Sequence, residues 1–223
     1  MDPAPLANLL DLALILAFDG SASVGFDEFG LIAGGCAAAL RDPAVVSGLI
    51  GGPARASLGA VLLWSGHGTA TALVGWTRLG SAADCLAFAD AVGDVSRAVT
   101  PGTTAIGSAL LACGALFTAQ PAAARRQVID IAGDGRSNDG PPPAPIRDQL
   151  VKRSITINGL CVLHEEPDLL SSYLAEVVGG LGSFALQCRD YNGFADAMRR
   201  KLQQEVADLS QAGLSPAAAV RVC

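Results

Sequence analysis

Asp19, Ser21 and Ser23 stand at alternate positions in Asp19-Gly20-Ser21-Ala22-Ser23, a carboxylate and two hydroxyls separated by small residues. A tight loop of this composition can aim all three oxygens at one point. Three hard oxygen donors with no imidazole or thiolate nearby suit a small hard cation such as magnesium. Taken alone, the stretch also reads as an ordinary strand-to-helix turn with serine caps.

Two later stretches offer what such a site would still lack. Pro101-Gly102-Thr103-Thr104-Ala105-Ile106-Gly107-Ser108-Ala109-Leu110 is a Gly-Thr loop opening a helix, and Val128-Ile129-Asp130-Ile131-Ala132-Gly133-Asp134-Gly135 is an apolar strand ending in a carboxylate and a Gly turn. Each has a plain use as well, since Thr caps helices and Asp-Gly is a frequent turn pair. Their joint occurrence, in strand and helix-start contexts, favours a shared site.

The elements that must position these residues follow from the apolar pattern. Leu12 to Phe18 is short, continuous and bounded by glycine, which reads as a strand buried on both faces. Further strand-like runs cover Leu58 to Trp64, Ala70 to Trp76, Gln127 to Ala132, Ile155 to Leu163 and Phe184 to Cys188. The turn Ser65-Gly66-His67-Gly68 is short enough for a hairpin, so one of the strands it joins is antiparallel. Phe26 to Leu40 has helical spacing and is broken by Pro43 and the glycines at 48, 51 and 52. Other helices are expected over 82–92, 104–119 and 146–152 and after Pro167. The last helix places Phe194, Met198, Leu202 and Val206 on one stripe, with Arg199, Arg200, Lys201 and Glu205 facing out. The alternation predicts an α/β fold: a doubly wound, mostly parallel six-stranded sheet with one antiparallel edge strand and helices on both faces.

In order and context, D-x-S-x-S, the Gly-Thr loop and the strand-end Asp resemble the metal-ion-dependent adhesion site of von Willebrand factor type A (vWA) domains. The phrases Ala39-Leu40-Arg41-Asp42-Pro43, Trp64-Ser65-Gly66, the stretch from Gly133 to Pro143, and Asn158-Gly159-Leu160 resemble a bacterial branch of that superfamily catalogued as a domain of unknown function. The resemblance implies a Rossmann-like vWA domain over residues 10–206, leaving 207–223 as a mobile C-terminal tail. It implies metal ligation by Asp19, Ser21, Ser23, Thr104 and Asp134, the threonine falling on Thr104 rather than Thr103 when counted back from Leu110. Ser21 and Ser23 would then be direct neutral ligands, Thr104 direct or through water, and the two aspartates would mostly hold metal-bound waters. Mg2+ or Mn2+ is expected ahead of Ca2+, and an Asp or Glu of a partner protein would complete the coordination. In doubly wound sheets ligands sit beyond the carboxyl ends of the strands, the edge on which Asp19, Thr104 and Asp134 fall. Asn138 and Asp139 either line the rim of this site or shape the turn before the prolines. His67 reads as an exposed hairpin-tip residue, His164 as part of a solvated loop, and Trp64 and Trp76 as packing on paired strands.

Composition narrows the function classes. With 223 residues, 51% hydrophobic and 16% charged, the chain has ample core material and is not a disordered one. Fifteen basic against 21 acidic residues give a net charge of −6, with no basic run beyond Arg199-Arg200-Lys201, which disfavours nucleic acid and anionic lipid as partners. No apolar run is long enough for a transmembrane helix, and Met1 to Pro5 lacks the basic start of a leader. Members of the look-alike branch commonly carry an export signal, so the sequence leaves a periplasmic or extracytoplasmic location and a cytoplasmic one both open. Six scattered cysteines make no disulfide scaffold; Cys36 and Cys113 read as buried small hydrophobes, while pairing of Cys161 with Cys188 stays open. Two histidines and no C-x-x-C speak against a zinc site. No G-x-S-x-G, P-loop or G-x-G-x-x-G follows a strand, and no histidine is expected near a nucleophile. A binding module is therefore expected rather than an enzyme; the alternative is a metal-dependent hydrolase or phosphatase-like enzyme on the same fold, which would want more direct carboxylates.

Overall fold

Leu10–Asp19 (β1) lies at the centre of the sheet, and every one of its residues is buried. It runs parallel to Ser57–Trp64 (β2) on one side and to Ala124–Gly133 (β4) on the other. The structure is a computed structural model and describes residues 9–164, 166–211 and 221–222. Ala70–Leu79 (β3) pairs antiparallel with β2 as the predicted edge strand, and Ile155–Val162 (β5) and Phe184–Cys188 (β6) continue the sheet in parallel beyond β4. Arg221–Val222 (β7) adds a two-residue seventh strand beside β6, so the order is β3-β2-β1-β4-β5-β6-β7. The strand order turns back between β1 and β4, and a doubly wound sheet binds ligands in the crevice above such a reversal.

Strand pleating divides the core into two layers. Leu12, Leu14, Leu16 and Phe18 of β1 face Phe26–Leu40 (α1), Ala82–Gly93 (α3) and Phe194–Gln211 (α7). Ala13, Ile15 and Ala17 face Ile106–Thr118 (α4) and Pro143–Lys152 (α5). Trp64 is fully buried in the second layer, and Trp76 on β3 stacks at 5.5 Å from Phe117 while its indole N–H donates to the Leu116 carbonyl. A four-residue helix, Leu169–Ser172 (α6), leads into a π-helical turn at Tyr173–Val177, and a 3-10 turn at Tyr191–Gly193 precedes α7. Among the described residues no single helix is long and apolar enough to cross a membrane.

Several expectations need correction. Pro43 does more than break α1, because it starts a further helix, Pro43–Leu49 (α2). Asp42 caps it by accepting from Ala44 N (2.9 Å) and Val45 N (3.3 Å), and proline occupies a first-turn position whose N–H has no helical partner anyway. α4 begins at Ile106, which leaves Thr104 in the preceding loop. The last helix reaches Gln211, beyond the expected end of the domain at 206; of the expected tail at 207–223, residues 212–220 and 223 lie outside the described residues. Cys161 and Cys188 are free, and their register places them in opposite layers: Val162, not Cys161, pairs with Cys188.

The largest departure is on α7. Lys201 and Glu205 do not face out; both are 0% exposed. Lys201 Nζ bonds Asp130 Oδ1 on β4 and lies 5.1 Å from the centre of the Phe184 ring. Glu205 accepts from Arg126 Nη2 (2.6 Å) and from the Asn158 amide, and Asn158 Oδ1 accepts from Phe184 N (2.9 Å). Asp130 and Asn158 are register partners on β4 and β5, so one polar patch on the sheet draws one polar patch of the helix inward. Helical spacing reports the apolar stripe, but it cannot report a charge pulled in by a partner far away in sequence.

Candidate metal centre

Three loops meet above the reversal between β1 and β4. Asp19 ends β1, and the chain leaves through Gly20, whose N–H donates to the Trp64 carbonyl at 2.7 Å. A Cβ on Gly20 would stand 2.9 Å from Val99 Cγ2 and 3.2 Å from that carbonyl oxygen, so this exit tolerates no side chain. Ser21 N donates to Asp19 Oδ1 (2.7 Å), the Ser21 and Ser23 hydroxyls lie 3.1 Å apart, and Ser23 Oγ donates to Asp134 Oδ1 (2.8 Å). The structure thus links Asp19, Ser21, Ser23 and Asp134 in one hydrogen-bonded chain across 111 residues of sequence separation between Ser23 and Asp134. Arg97, which carries no signal in the sequence, braces the loop from behind, its Nη2 donating to the carbonyls of Gly20 (2.8 Å) and Ser21 (2.6 Å).

Thr104 is buried in the Gly-Thr loop, which is stitched to both neighbours. Ala22 N donates to Gly102 O (2.8 Å) and Ala105 N to Ser65 O (3.3 Å). Asn138 clamps Thr104 reciprocally: its Oδ1 accepts from Thr104 N (2.8 Å) and its N–H donates to Thr104 O (2.9 Å). The Thr104 hydroxyl lies 3.8 Å from the point where a Cβ on Gly135 would stand, beside the turn that carries Asp134. Asp139 Oδ2 accepts from the Thr103 hydroxyl (2.6 Å) and from His67 N (2.9 Å), and its Oδ1 from Gly140 N (2.7 Å). These bonds, the Thr103 hydroxyl foremost, hold the Asp139 carboxyl below its ordinary range. Asn138 and Asp139 therefore bridge loops rather than merely shaping a turn.

The electrostatics of the centre are unbalanced. Asp19 is 0% and Asp134 1% exposed, and among the described residues neither forms an ion pair. Burial raises the Asp19 carboxyl from 3.8 to about 7; its bonds to Ser21 oppose the rise, while the nearby Asp134 adds to it. Asp19 Oδ2 and Asp134 Oδ2 are both buried and unpartnered. A buried carboxylate without a counter-charge is costly, and a cation at this point would remove the cost for both residues. Among the described residues no group of three His, Cys, Asp or Glu side chains comes together. The available donors are two carboxylates with serine and threonine hydroxyls, an all-oxygen set that fits a hard divalent ion.

Around the rim, His67 is exposed, as expected, but it has a nucleophile-type neighbour that sequence reading missed: its Nδ1 lies 2.7 Å from Ser108 Oγ. Asp139 takes the His67 backbone N–H rather than a ring N–H, so it does not orient the imidazole as a catalytic triad requires. Arg136 bridges Glu166 (2.9 Å) and Asp168, tying the Asp134 loop to the segment after β5; His164 lies exposed on that segment.

A family model described as "Protein of unknown function (DUF1194)" matches residues 9–210. Among proteins of curated function none matches the chain by sequence. In structure the chain is similar to proximal thread matrix protein 1 from the mussel byssus with a zinc-occupied MIDAS motif (17% identity, TM-score 0.62, 89% of this chain and 48% of that one). It is also similar to a von Willebrand factor type A protein from Catenulispora acidiphila (19%, TM-score 0.58, 87% and 42%). A third similarity is to the vWF domain of the type V pili tip protein Mfa5 from Porphyromonas gingivalis (12%, TM-score 0.58, 95% and 99%). The chain spans less than half the length of the first two. At these identities the likeness establishes the vWA fold.

Proposed function

The chain belongs to the DUF1194 family and has a vWA fold, and on that premise we propose that it is a protein-binding module whose Asp19, Ser21, Ser23, Thr104 and Asp134 hold a divalent cation. The observation that carries this reading is the pair of buried aspartates, each with an unpartnered oxygen and no ion pair, beside hydroxyls from two loops. The zinc-occupied MIDAS motif of the mussel matrix protein supports a divalent ion on this kind of scaffold. The all-oxygen donors favour Mg2+ or Mn2+ over Ca2+, because the loops are short and cross-braced while Ca2+ wants a larger, looser shell.

When bound, the ion supplies a concentrated positive charge for an anionic oxygen. The protein's residues do the rest. Ser21, Ser23 and Thr104 offer neutral oxygens, which leave the charge largely unquenched. Asp19 and Asp134 supply the two negative charges from beneath, and Arg97 and Asn138 keep the two loops in register. A partner's Asp or Glu is the matching ligand, since a carboxylate contact to an under-neutralised ion is charge-assisted.

Calorimetric titration of chelator-stripped protein with Mn2+ and Mg2+ tests the proposal. One site is expected, and Asp19→Ala should abolish it; unchanged binding in that variant would refute the assignment. Chelator-sensitive capture of partners presenting Asp or Glu tests the binding role. Turnover of generic phosphate or ester substrates, lost in the same variant, would instead favour a hydrolase.

A further inference from the structure

Tyr173 and Tyr191 come from separate segments and approach the centre from opposite layers of the core. They are 0% and 4% exposed, and neither hydroxyl has a hydrogen-bond partner. The other unpartnered atoms at this spot are Asp19 Oδ2 and Asp134 Oδ2. Two buried donors and two buried acceptors thus stand unpaired at one place in a protein that pairs its other buried charges with care. Buried polar groups left unpaired in this way call for a specific explanation.

Geometry matches donors to acceptors. At Gly133, the last residue of β4, a Cβ would stand 2.7 Å from the Tyr173 hydroxyl and 2.9 Å from Asp19 Oδ2, so glycine leaves room for both to crowd one point. Tyr173 belongs to the π-helical turn, an irregularity that recurs at functional sites. Its ring packs over Gly159, a role that phenylalanine would fill equally well, so the core accounts for the ring and not for the hydroxyl. Tyr191 feels the Asp134 carboxylate more strongly than any other charge but stands short of bonding to it. Burial pushes both phenols far above their ordinary range, and the two aspartates add to it, so both remain protonated donors.

We infer that Tyr173 and Tyr191 are positioning residues of the metal centre, whose hydroxyls donate to Asp19 Oδ2 and Asp134 Oδ2 and hold the two carboxylates in their ion-bearing pose. The inference rests on the metal reading above and deepens it. Donors behind the ligands of a metal site fix ligand orientation, and their loss typically lowers affinity about 10- to 100-fold. They act only through the aspartates and need not touch the ion.

The test uses Tyr173→Phe and Tyr191→Phe, which keep both rings. Each variant should bind Mn2+ at least about tenfold more weakly by calorimetry. Its melting temperature in chelator should be unchanged or raised, because a buried unpaired hydroxyl has been removed. Wild type should show a near-ultraviolet tyrosine difference signal on adding Mg2+, and each substitution should remove part of it. Two results would overturn the inference: wild-type affinity in both variants with a silent tyrosine spectrum, or an equal loss of melting temperature with and without the ion, which marks a merely structural role. If wild type itself takes up no divalent ion, the metal reading fails and this inference falls with it, so the two failures are told apart by the wild-type titration.

Discussion

Asp130 and Asp134 come from one stretch of chain, are equally buried at 1% exposure, and are treated in opposite ways. Asp130 sits mid-sheet, where Lys201 of α7 reaches in to neutralise it, and the neighbouring Glu205 is matched by Arg126 and Asn158. Asp134 sits at the strand's end, with Asp19 rather than a cation beside it, and its only hydrogen bond is from the Ser23 hydroxyl. The chain can neutralise buried carboxylates with its own side chains and does so a few residues away. At the carboxyl edge it supplies hydroxyls and a brace instead, and Arg97 spends its donors on backbone carbonyls. The difference separates a self-contained ionic lock from a site that is complete only when a cation comes from outside.

Breaking the lock should give the largest effect. Lys201→Ala leaves Asp130 buried and unpaired, and urea unfolding should show a loss of about 3–5 kcal/mol that Mg2+ does not restore. Pairing Lys201→Met with Asp130→Leu should recover most of it; an unaltered unfolding midpoint in Lys201→Ala would mean that the two regions do not differ as described.

The edge should respond to pH in the opposite sense with and without the ion. The folded protein raises the Asp19 carboxyl from 3.8 to about 7, so it binds that proton more tightly than the unfolded chain. In chelator, the contribution of this group to stability is complete below about pH 4 and is lost as pH rises through about 7. Mn2+ competes with the proton, so its affinity should climb over the same window and then level off. Melting curves and titrations of wild type against Asp19→Asn check this; identical pH dependence in the two proteins would count against it.

The smallest effect is expected where the edge is only braced. Asn138→Ala removes the clamp on Thr104, a bond worth about 1 kcal/mol, and should weaken Mn2+ binding by tenfold or less while leaving the number of sites at one. No change would show that the Gly-Thr loop holds its shape without Asn138.

Strand positions, the antiparallel edge and the three site segments were legible in the sequence because they depend on local patterns. The run from Leu12 to Phe18 is apolar at every position, the hairpin turn is short, and Asp19, Thr104 and Asp134 each adjoin an element's end. The helix at Pro43–Leu49 was legible in principle, through Asp42 as cap and proline in the first turn, but the glycines at 48, 51 and 52 masked it. Lys201, Glu205, Arg97, Tyr173 and Tyr191 were not legible. Their places depend on partners tens of residues away, and a lysine drawn inward by Asp130 is written exactly like one in water. By itself the sequence determined which segments are strands and which side chains can offer hard oxygens. Only the tertiary structure decided which buried charges are balanced, because neutralisation is set by distance in space and the chain's order carries no record of it.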